Sequence, residues 1–308
     1  MIVVYSSDEK YARHTAASIA SLLTHNTWAK ELTVYVISTG MDEKSKDKIK
    51  ETCQSFGREY VDIPFEPYID RIKEYATWHS ISAYARMFIP EMLPERCERA
   101  LYLDCDTIIV DSLQALWELN LSGCCVAGVK DTINENIKRT IGMSEEDIYV
   151  NTGVLLLDLR KWRENAVQAM LVDYLKANAD MAYYQDQSTI NVVLKGQIYI
   201  LPPKYNAMTT FFTLSYKRML ALYGLGYYYS PNEIREAASH PVVVHCTSGV
   251  VDRAWVKNSR HPFAKAYAEA KQLTPWKDEP LQESNLSLRD YLVRLYQMYF
   301  PLCLIRRF

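Results

Sequence analysis

The sequence predicts an α/β fold in which helices flank a mainly parallel β-sheet. Short apolar segments alternate with amphipathic helical segments from the first residues onward, which is typical of βαβ units. One long apolar segment, at residues 100–110, resembles a buried strand of a parallel sheet. The chain has 308 residues, of which 49% are hydrophobic and 23% are charged. A chain of this size and composition can bury a substantial core.

The order of segments follows from their periodicity. Short apolar runs that end in polar residues or proline predict strands at residues 2–5, 32–37, 59–63, 100–110, 124–129, 149–157 and 241–245. Apolar residues at three- and four-residue spacing predict helices at residues 16–23, 42–56, 78–87, 166–178, 187–194 and 263–271. Residues 202–231 are rich in tyrosine and contain glycine, so loops and short helices are expected there. No repeat or linker is visible. We therefore expect one domain over residues 1–281 and an appended segment over residues 282–308.

The appended segment combines basic and apolar side chains. Arg289, Arg294, Arg306 and Arg307 alternate with leucine, methionine, phenylalanine and isoleucine residues. A basic amphipathic segment can lie on an anionic membrane surface, and it can equally pack on the domain as a terminal helix. The sequence leaves both interpretations open. Pro301 would end any single helix in this segment.

Composition narrows the classes of function. The formal net charge of −2 argues against a nucleic-acid partner, which would call for a strongly basic surface. The seven cysteines are scattered and form no Cys-x-x-Cys pair, which favours a reduced, cytoplasmic protein. We see no signal peptide and no apolar run long enough to span a membrane. The expected location is the cytoplasm, with the inner face of the membrane as the site of any peripheral contact.

Two carboxylates interrupt the apolar run at residues 100–110. In an extended chain, Asp104 and Asp106 would point to the same side, while Cys105 would face the other way. A charge inside a buried strand is costly unless something compensates it, and two carboxylates together can hold one cation. Oxygen ligands favour Mg²⁺ or Mn²⁺. The alternative is a solvated turn. The chain has no Gly-x-Gly-x-x-Gly motif after its first strand and no P-loop, so a phosphate ligand would depend on a metal and basic side chains.

The chain resembles glycosyltransferase family 8, in particular its bacterial lipooligosaccharide galactosyltransferase branch. The resemblance covers residues 2 to about 281 and rests on the order and spacing of several segments: Ser6-Ser7-Asp8 with Tyr11, Ser80 to Arg86, Leu101 to Asp106, Asn151 to Leu159, Tyr184 to Gln187, and His245. It implies a nucleotide-sugar-binding (GT-A-like) fold, to which the segment over residues 282–308 would add a helical C-terminal appendage. It also implies a retaining enzyme that transfers a hexose, galactose or glucose, from a UDP-sugar to a hydroxyl of a glycan or glycolipid acceptor.

The resemblance implies a metal site and a uridine site. His245 resembles the third protein ligand of a divalent ion, beside Asp104 and Asp106. An imidazole ligand favours Mn²⁺, with Mg²⁺ as the alternative. Asp8 resembles the acid that contacts uridine, and Tyr11 could stack on the uracil ring. Both also have a structural interpretation, as an acid at a helix N-terminus and a packed aromatic ring.

The donor sugar and diphosphate have their own candidates. Arg86 resembles the family's basic residue near the diphosphate, although a helix-surface ion pair is the structural alternative. Asp131, Asn151, Asp186 and Gln187 resemble residues of the donor-sugar site and reaction centre. Gln187 occupies the position at which a double displacement would need a nucleophile, and an amide is a poor one. We therefore favour front-face attack, in which the leaving phosphate accepts the acceptor's proton.

The segment after His245 departs from the family pattern. The family commonly reads His-x-x-Gly-x-x-Lys-Pro-Trp, with the lysine at the β-phosphate. Here Gly249 is one place late and Arg253 would have to replace the lysine after a longer loop. Lys257 is a second candidate for this role. The departure leaves open a degenerate protein that only binds UDP-sugar or acts as a scaffold.

Single features of the sequence are also similar to two other enzyme classes. Asp104-Cys105-Asp106-Thr107 is similar to the nucleophile motif of haloacid-dehalogenase-like phosphatases, but Ile108 does not fit that motif and no later Gly-Asp pair accompanies it. A self-glycosylating protein similar to glycogenin would need an acceptor tyrosine, and 23 tyrosines are present.

Overall fold

Two β-sheets form the centre of the molecule. The computed structural model describes residues 1–76, 81–179 and 185–300. Its strands, in chain order, are β1 (Ile2–Asp8), β2 (Thr33–Thr39), β3 (Glu59–Pro64), β4 (Arg99–Leu103), β5 (Thr107–Ile109), β6 (Val126–Lys130), β7 (Val150–Asp158), β8 (Ile198–Ile200), β9 (Ala207–Met208) and β10 (Val243–His245).

The larger sheet has seven strands in the order β3-β2-β1-β4-β7-β6-β8. The pairs β1–β2, β2–β3, β1–β4 and β6–β8 are parallel, whereas β7 is antiparallel to both β4 and β6. The smaller sheet has the order β5-β10-β9, in which β10 is antiparallel to β5 and parallel to β9. This arrangement confirms the predicted mixed, mainly parallel sheet.

Helices cover the sheets. The α-helices are α1 (Ala12–His25), α2 (Glu43–Ser55), α3 (Glu66–Ile69), α4 (Ile89–Met92), α5 (Gln114–Trp117), α6 (Glu135–Thr140), α7 (Leu159–Glu164), α8 (Val167–Ala177), α9 (Gln185–Val193), α10 (Thr209–Thr213), α11 (Tyr216–Tyr223), α12 (Pro231–Ser239), α13 (Ala264–Gln272) and α14 (Leu288–Tyr299). Short 3₁₀ helices lie at Glu9–Tyr11, Ile81–Phe88 and Pro203–Asn206.

The core lies on both faces of the larger sheet because side chains alternate along a strand. In β4, Leu101 and Leu103 pack into one apolar cluster, while Ala100 and Tyr102 pack into the other. All four side chains are essentially inaccessible to solvent. β4 is therefore an interior strand, and the first polar residue after it, Asp104, lies at the edge of the buried core.

The structure corrects two of the predicted elements. The single strand expected at residues 100–110 is wrong: β4 and β5 belong to different sheets, and Asp104–Asp106 form the turn between them. The turn is closed by Thr107, whose backbone N–H and hydroxyl both donate to the carbonyl oxygen of Asp104. Where a helix was expected at residues 78–87, the described part forms a 3₁₀ helix, and Trp78 lies outside the described residues.

The C-terminal helix α14 contacts the domain through polar groups. Arg294 pairs with Asp252 at 2.7 Å, and Arg218 donates to the carbonyl oxygens of Gln297 and Phe300. Pro301 lies outside the described residues.

Among the helices that the structure describes, none combines the length and the apolar composition needed to cross a membrane.

Candidate active site

The Asp104–Asp106 turn places two carboxylates at the edge of the core. The chain leaves the interior strand β4 here and enters the smaller sheet, so both side chains remain partly accessible: 24% for Asp104 and 13% for Asp106. Cys105 points away, and its thiol donates to the carbonyl oxygen of Ser6 at the end of β1. The carboxylates converge, as predicted, but through a turn rather than an extended strand.

β10 brings an imidazole to these carboxylates. In the antiparallel pairing of β5 and β10, His245 lies opposite Thr107, the residue that follows Asp106. His245 Nε2 is 3.0 Å from Asp106 Oδ1 and 3.9 Å from Asp104 Oδ2. One ligand atom from each of the three residues lies within 4.8 Å of the others. We call Asp104, Asp106 and His245 the acidic triad. Two carboxylates and an imidazole are a donor set that suits Mn²⁺ or Mg²⁺.

Hydrogen bonds orient each member of the acidic triad. Asp104 Oδ1 accepts from Tyr102 Oη at 2.7 Å and from Arg86 Nη2 at 3.0 Å, whereas its Oδ2 faces His245. His245 Nδ1 is 2.9 Å from the side-chain oxygen of Asn206. With the Nδ1 proton donated to Asn206, the Nε2 lone pair is directed at the carboxylates. Such supporting partners are typical of metal-ligating histidines.

Asn206 was not predicted from the sequence. It is the last residue of a short 3₁₀ helix in the tyrosine-rich region, where only loops and short helices were expected. It is fully buried, and its amide nitrogen donates to Asn151 Oδ1 at 2.8 Å. No local motif marks it. Its role depends on β9 and β10, which bring distant residues together.

The carboxylates of the acidic triad have positively charged or hydrogen-bonding partners within the protein. Burial opposes ionisation of Asp106, but the charges and hydrogen bonds of His245 and Arg253 outweigh it and hold the pKa of Asp106 below its usual range. Burial likewise disfavours the charged form of His245, yet Asp106 and Asp104 raise its pKa above the ordinary value of 6.5. A protonated His245 therefore stabilises the two carboxylates when no metal is bound.

Mn²⁺ affinity is expected to rise with pH. A histidine binds a metal ion through a neutral imidazole, so Mn²⁺ would compete with a proton for His245. The raised pKa of His245 strengthens this competition. Below that pKa, each pH unit should weaken apparent affinity by up to about tenfold. Calorimetric titration with Mn²⁺ from about pH 6 to about pH 8 would measure this trend. His240→Gln, at an exposed histidine, is the matched control. An affinity independent of pH would exclude His245 as a ligand.

Arg86 joins the acidic triad to the neighbouring pocket. Its side chain is 7% exposed, donates from Nη1 to the backbone and side-chain oxygens of Thr152, and pairs with Asp104. Its Nε lies 3.3 Å from Asp186 Oδ2. Its guanidinium also lies over the ring of Tyr102, 4.6 Å from the centroid. Because Arg86 is buried, its ion pairs with Asp104 and Asp186 are not surface ion pairs. Its guanidinium keeps its positive charge there, since arginine is not deprotonated in proteins.

The four predicted donor-sugar residues lie together. Asp131 Oδ2 accepts hydrogen bonds from Gln187 Nε2 at 2.7 Å and from Asn151 Nδ2 at 3.1 Å. Gln187 Oε1 accepts from the backbone N–H of Thr152, which holds the amide in one orientation. These residues line a cavity of about 840 Å³, together with Asp186, Arg86 and Asp104. The cavity therefore extends from the acidic triad into a polar, hydrogen-bonding wall.

The predicted uridine residues line a second, smaller cavity. Asp8 and Tyr11 lie at the carboxyl end of β1, where open α/β sheets bind ligands. They border a space of about 170 Å³ with Arg86, Asp104 and Asp106. Asp8 Oδ1 accepts from the Tyr11 N–H and caps the short 3₁₀ helix. Asp8 therefore has the structural role of an acid at a helix N-terminus, whether or not it also contacts a ligand.

The loop after β10 brings Arg253 to the acidic triad. Arg253 Nη1 pairs with Asp106 Oδ2, and its Nη2 donates to Ser248 Oγ at 3.2 Å. Lys257 instead pairs with Glu283 at the surface. Gly249 lies near Thr209 and lines a separate cavity with Arg253. Ser80 and Tyr184, which contributed to the family resemblance, lie outside the described residues.

Two curated bacterial proteins are similar to this chain over most of its length. General stress protein A of Bacillus subtilis (strain 168) is 29% identical over 282 residues, which cover 90% of this chain and 94% of that protein. The lipopolysaccharide 1,2-glucosyltransferase of Escherichia coli (strain K12) is 26% identical over 296 residues, covering 92% and 81%.

The fold also matches a solved glycosyltransferase. The crystal structure of galactosyltransferase LgtC in complex with donor and acceptor sugar analogues superposes with a TM-score of 0.72 at 24% identity, covering 89% of this chain and 96% of that one. This likeness confirms the predicted GT-A-like fold. The sequence model of glycosyl transferase family 8 matches residues 2–250 of this chain. These residues include the acidic triad, Arg86 and the polar cavity wall of Asp131, Asn151 and Gln187, and the chain belongs to glycosyl transferase family 8.

Proposed function

We propose that the protein is a retaining hexosyltransferase, which moves galactose or glucose from a UDP-sugar to a hydroxyl of a glycan or glycolipid acceptor. The observation that carries this proposal is one cavity that Asp104 of the acidic triad and Arg86 line together with the polar wall of Asp131, Asn151 and Gln187. The names of the similar glucosyltransferase and galactosyltransferase support a hexose as the transferred group. The family assignment argues against the phosphatase alternative.

Mn²⁺ is the proposed cofactor, with Mg²⁺ as the alternative, and the acidic triad would hold it. A bound divalent ion would act as a Lewis acid that stabilises the diphosphate of the leaving UDP. The protein's own charges would supplement it: Arg86 is fixed by Asp104 and Asp186, and Arg253, which pairs with Asp106, would bind a phosphate oxygen. Uridine would lie against Asp8 and Tyr11.

The polar wall of the cavity, together with Asp186, would orient the hexose rather than attack it. Asp131, Asn151, Asp186 and Gln187 offer both acceptors and donors to sugar hydroxyls. Gln187 is held by Asp131 and Thr152 and remains a neutral amide. In front-face transfer, the bond between the anomeric carbon and the phosphate oxygen breaks as the acceptor oxygen bonds to the same face. The acceptor's proton passes to the departing β-phosphate, so no protein nucleophile is needed.

UDP release provides the test. The protein is incubated with Mn²⁺ and either UDP-galactose or UDP-glucose, with and without glycan acceptors, and UDP is quantified. Release that depends on the ion and on one of the two sugars is the expected result. UDP binding without any release would instead favour the degenerate, non-catalytic alternative. Glucosylated tyrosine peptides, detected by mass spectrometry, would indicate the self-glycosylating alternative.

We further propose that the exposed face of α14 contacts an anionic membrane, where a glycolipid acceptor would be found. Leu288, Tyr291, Leu292 and Tyr299 are 50–74% exposed, and basic residues flank them in the sequence. Leu288→Glu with Leu292→Glu is expected to lower sedimentation with phosphatidylglycerol vesicles by at least about tenfold, since buried apolar area drives such binding. Leu273→Glu, at another exposed leucine, is the control. Equal sedimentation of all three proteins would exclude this contact.

A further inference from the structure

The C-terminal segment is joined to the loop that carries Arg253. Residues 282–283 run beside residues 255–257, where Gln282 N–H donates to the carbonyl oxygen of Trp255 at 3.2 Å. Lys257 N–H donates to the carbonyl oxygen of Gln282 at 2.8 Å. These contacts form a parallel β-bridge between Val256 and Gln282. The appended segment therefore begins with backbone pairing to the active-site loop.

Asp252 contacts the C-terminal segment through both of its carboxylate oxygens. Its Oδ1 pairs with Arg294 of α14 at 2.7 Å, and its Oδ2 accepts from Ser284 Oγ at 2.9 Å. Both charged side chains are about three-quarters buried, with exposures of 24% for Asp252 and 23% for Arg294. The carbonyl oxygen of Asp252 also accepts from Ser259 Oγ. Thus the side-chain oxygens of Asp252 are used by the C-terminal segment, and its backbone is held by its own loop.

Arg253 follows Asp252 directly and points the other way. Its guanidinium reaches Asp106 of the acidic triad and lies over the ring of Trp255, 5.2 Å from the centroid. The segment from Ser248 to Arg253 has bends but no helix or strand, and it includes Gly249. Such a loop samples many conformations unless tertiary contacts restrict it. A restraint at Asp252 therefore limits where the Arg253 side chain can lie.

We infer that Asp252 is a positioning residue and that the C-terminal segment, through Ser284 and Arg294, holds Arg253 at the diphosphate-binding side of the active site. The segment would then be part of the active-site structure as well as a membrane contact. This inference rests on the proposed function, in which Arg253 binds the diphosphate of the donor. It also gives a reason for the altered loop after His245: a longer loop needs an external restraint, and α14 supplies it.

Calorimetric titration of the full chain with UDP and Mn²⁺ tests the inference. Asp252→Ala and Arg294→Ala should each weaken UDP binding about tenfold, the size expected for loss of a charged hydrogen bond. Ser284→Ala should have a smaller effect in the same direction. Glu283→Gln is the matched control, because it removes an exposed ion pair, with Lys257, between the same two segments. That ion pair does not involve Asp252 or Arg253. The melting temperature of each variant is measured in parallel.

A double variant separates positioning from general stability. Arg253→Ala should weaken UDP binding by itself, and adding Asp252→Ala should then cause no further loss, because the positioned group is already absent. Additive losses, or wild-type affinity in Asp252→Ala, would overturn the inference. Wild-type protein that binds UDP but releases none from UDP-sugars would defeat the proposed function while leaving this comparison valid. Wild-type protein that does not bind UDP would defeat both.

Discussion

Asp106→Asn is expected to abolish Mn²⁺-dependent UDP binding and to lower kcat/KM for the UDP-sugar by about a thousandfold or more. Asp106 contacts His245 at 3.0 Å and the positively charged Arg253, and it is a member of the acidic triad. The amide keeps the shape of the side chain but removes its negative charge. A thousandfold loss corresponds to about 4 kcal/mol, within the range for metal stabilisation of a leaving group.

The control for this variant lies on the same stretch of chain. Asp111→Asn changes an exposed carboxylate shortly after β5 and should leave both UDP binding and turnover unchanged. Thermal unfolding of Asp106→Asn would show whether the protein remains folded with Arg253 unpaired. Wild-type Mn²⁺ affinity in a folded Asp106→Asn protein would mean that the acidic triad is not the metal site.

Gly153→Ala should displace His245 and Asp104 and thereby disable the site without changing any charged residue. A Cβ at position 153 would lie 2.3 Å from His245 Cε1 and 2.9 Å from Asp104 Oδ2. Neither neighbour can retreat easily, since His245 is 6% exposed and is held by Asn206, while Asp104 is held by Arg86 and Tyr102. We expect at least about a hundredfold loss of Mn²⁺ affinity and about 1–3 kcal/mol of destabilisation, the usual cost of overpacking.

Gly226→Ala is the matched control for this substitution. Among the described residues, its added Cβ would meet only the carboxylate of Glu135 at 3.3 Å, and that side chain is partly exposed and can move. Mn²⁺ titration and thermal unfolding of both variants measure the two effects separately. If Gly153→Ala binds Mn²⁺ as tightly as wild type, then the close approach of β7 to His245 is not required for the site.

Local sequence predicted the elements whose signal lies within a few residues. The apolar run of β4 with Asp104 and Asp106 at its end was visible because burial requires apolar side chains and a charge interrupts them. Strands β1, β2 and β3 and helices α1 and α2 were predicted for the same reason. The order of Asp8, Arg86, Asn151, Asp186, Gln187 and His245 carried the family resemblance, which the family match has confirmed. The roles of the individual residues remain predictions.

Non-local features were not predictable in this way. Strands β8 and β9 have three and two residues, too few for a periodic signal. Asn206 and Gly153 matter because β7, β9 and β10 bring them to His245, and neither belongs to a motif that explains this contact. The turn at Asp104–Asp106 was mistaken for extended chain because both its flanks are apolar. Only sheet pairing shows that the flanks belong to different sheets.

The sequence by itself determined which chemical groups are available: two carboxylates at the end of an interior strand, one imidazole at the end of another, and a loop after it that contains Arg253. Tertiary structure alone decided how they are held. Asp104 is oriented by Arg86 and Tyr102, His245 by Asn206, and the Arg253 loop by Asp252 and α14. The physical reason is that residue type is set by local burial and charge, whereas orientation depends on hydrogen bonds between segments far apart in the chain.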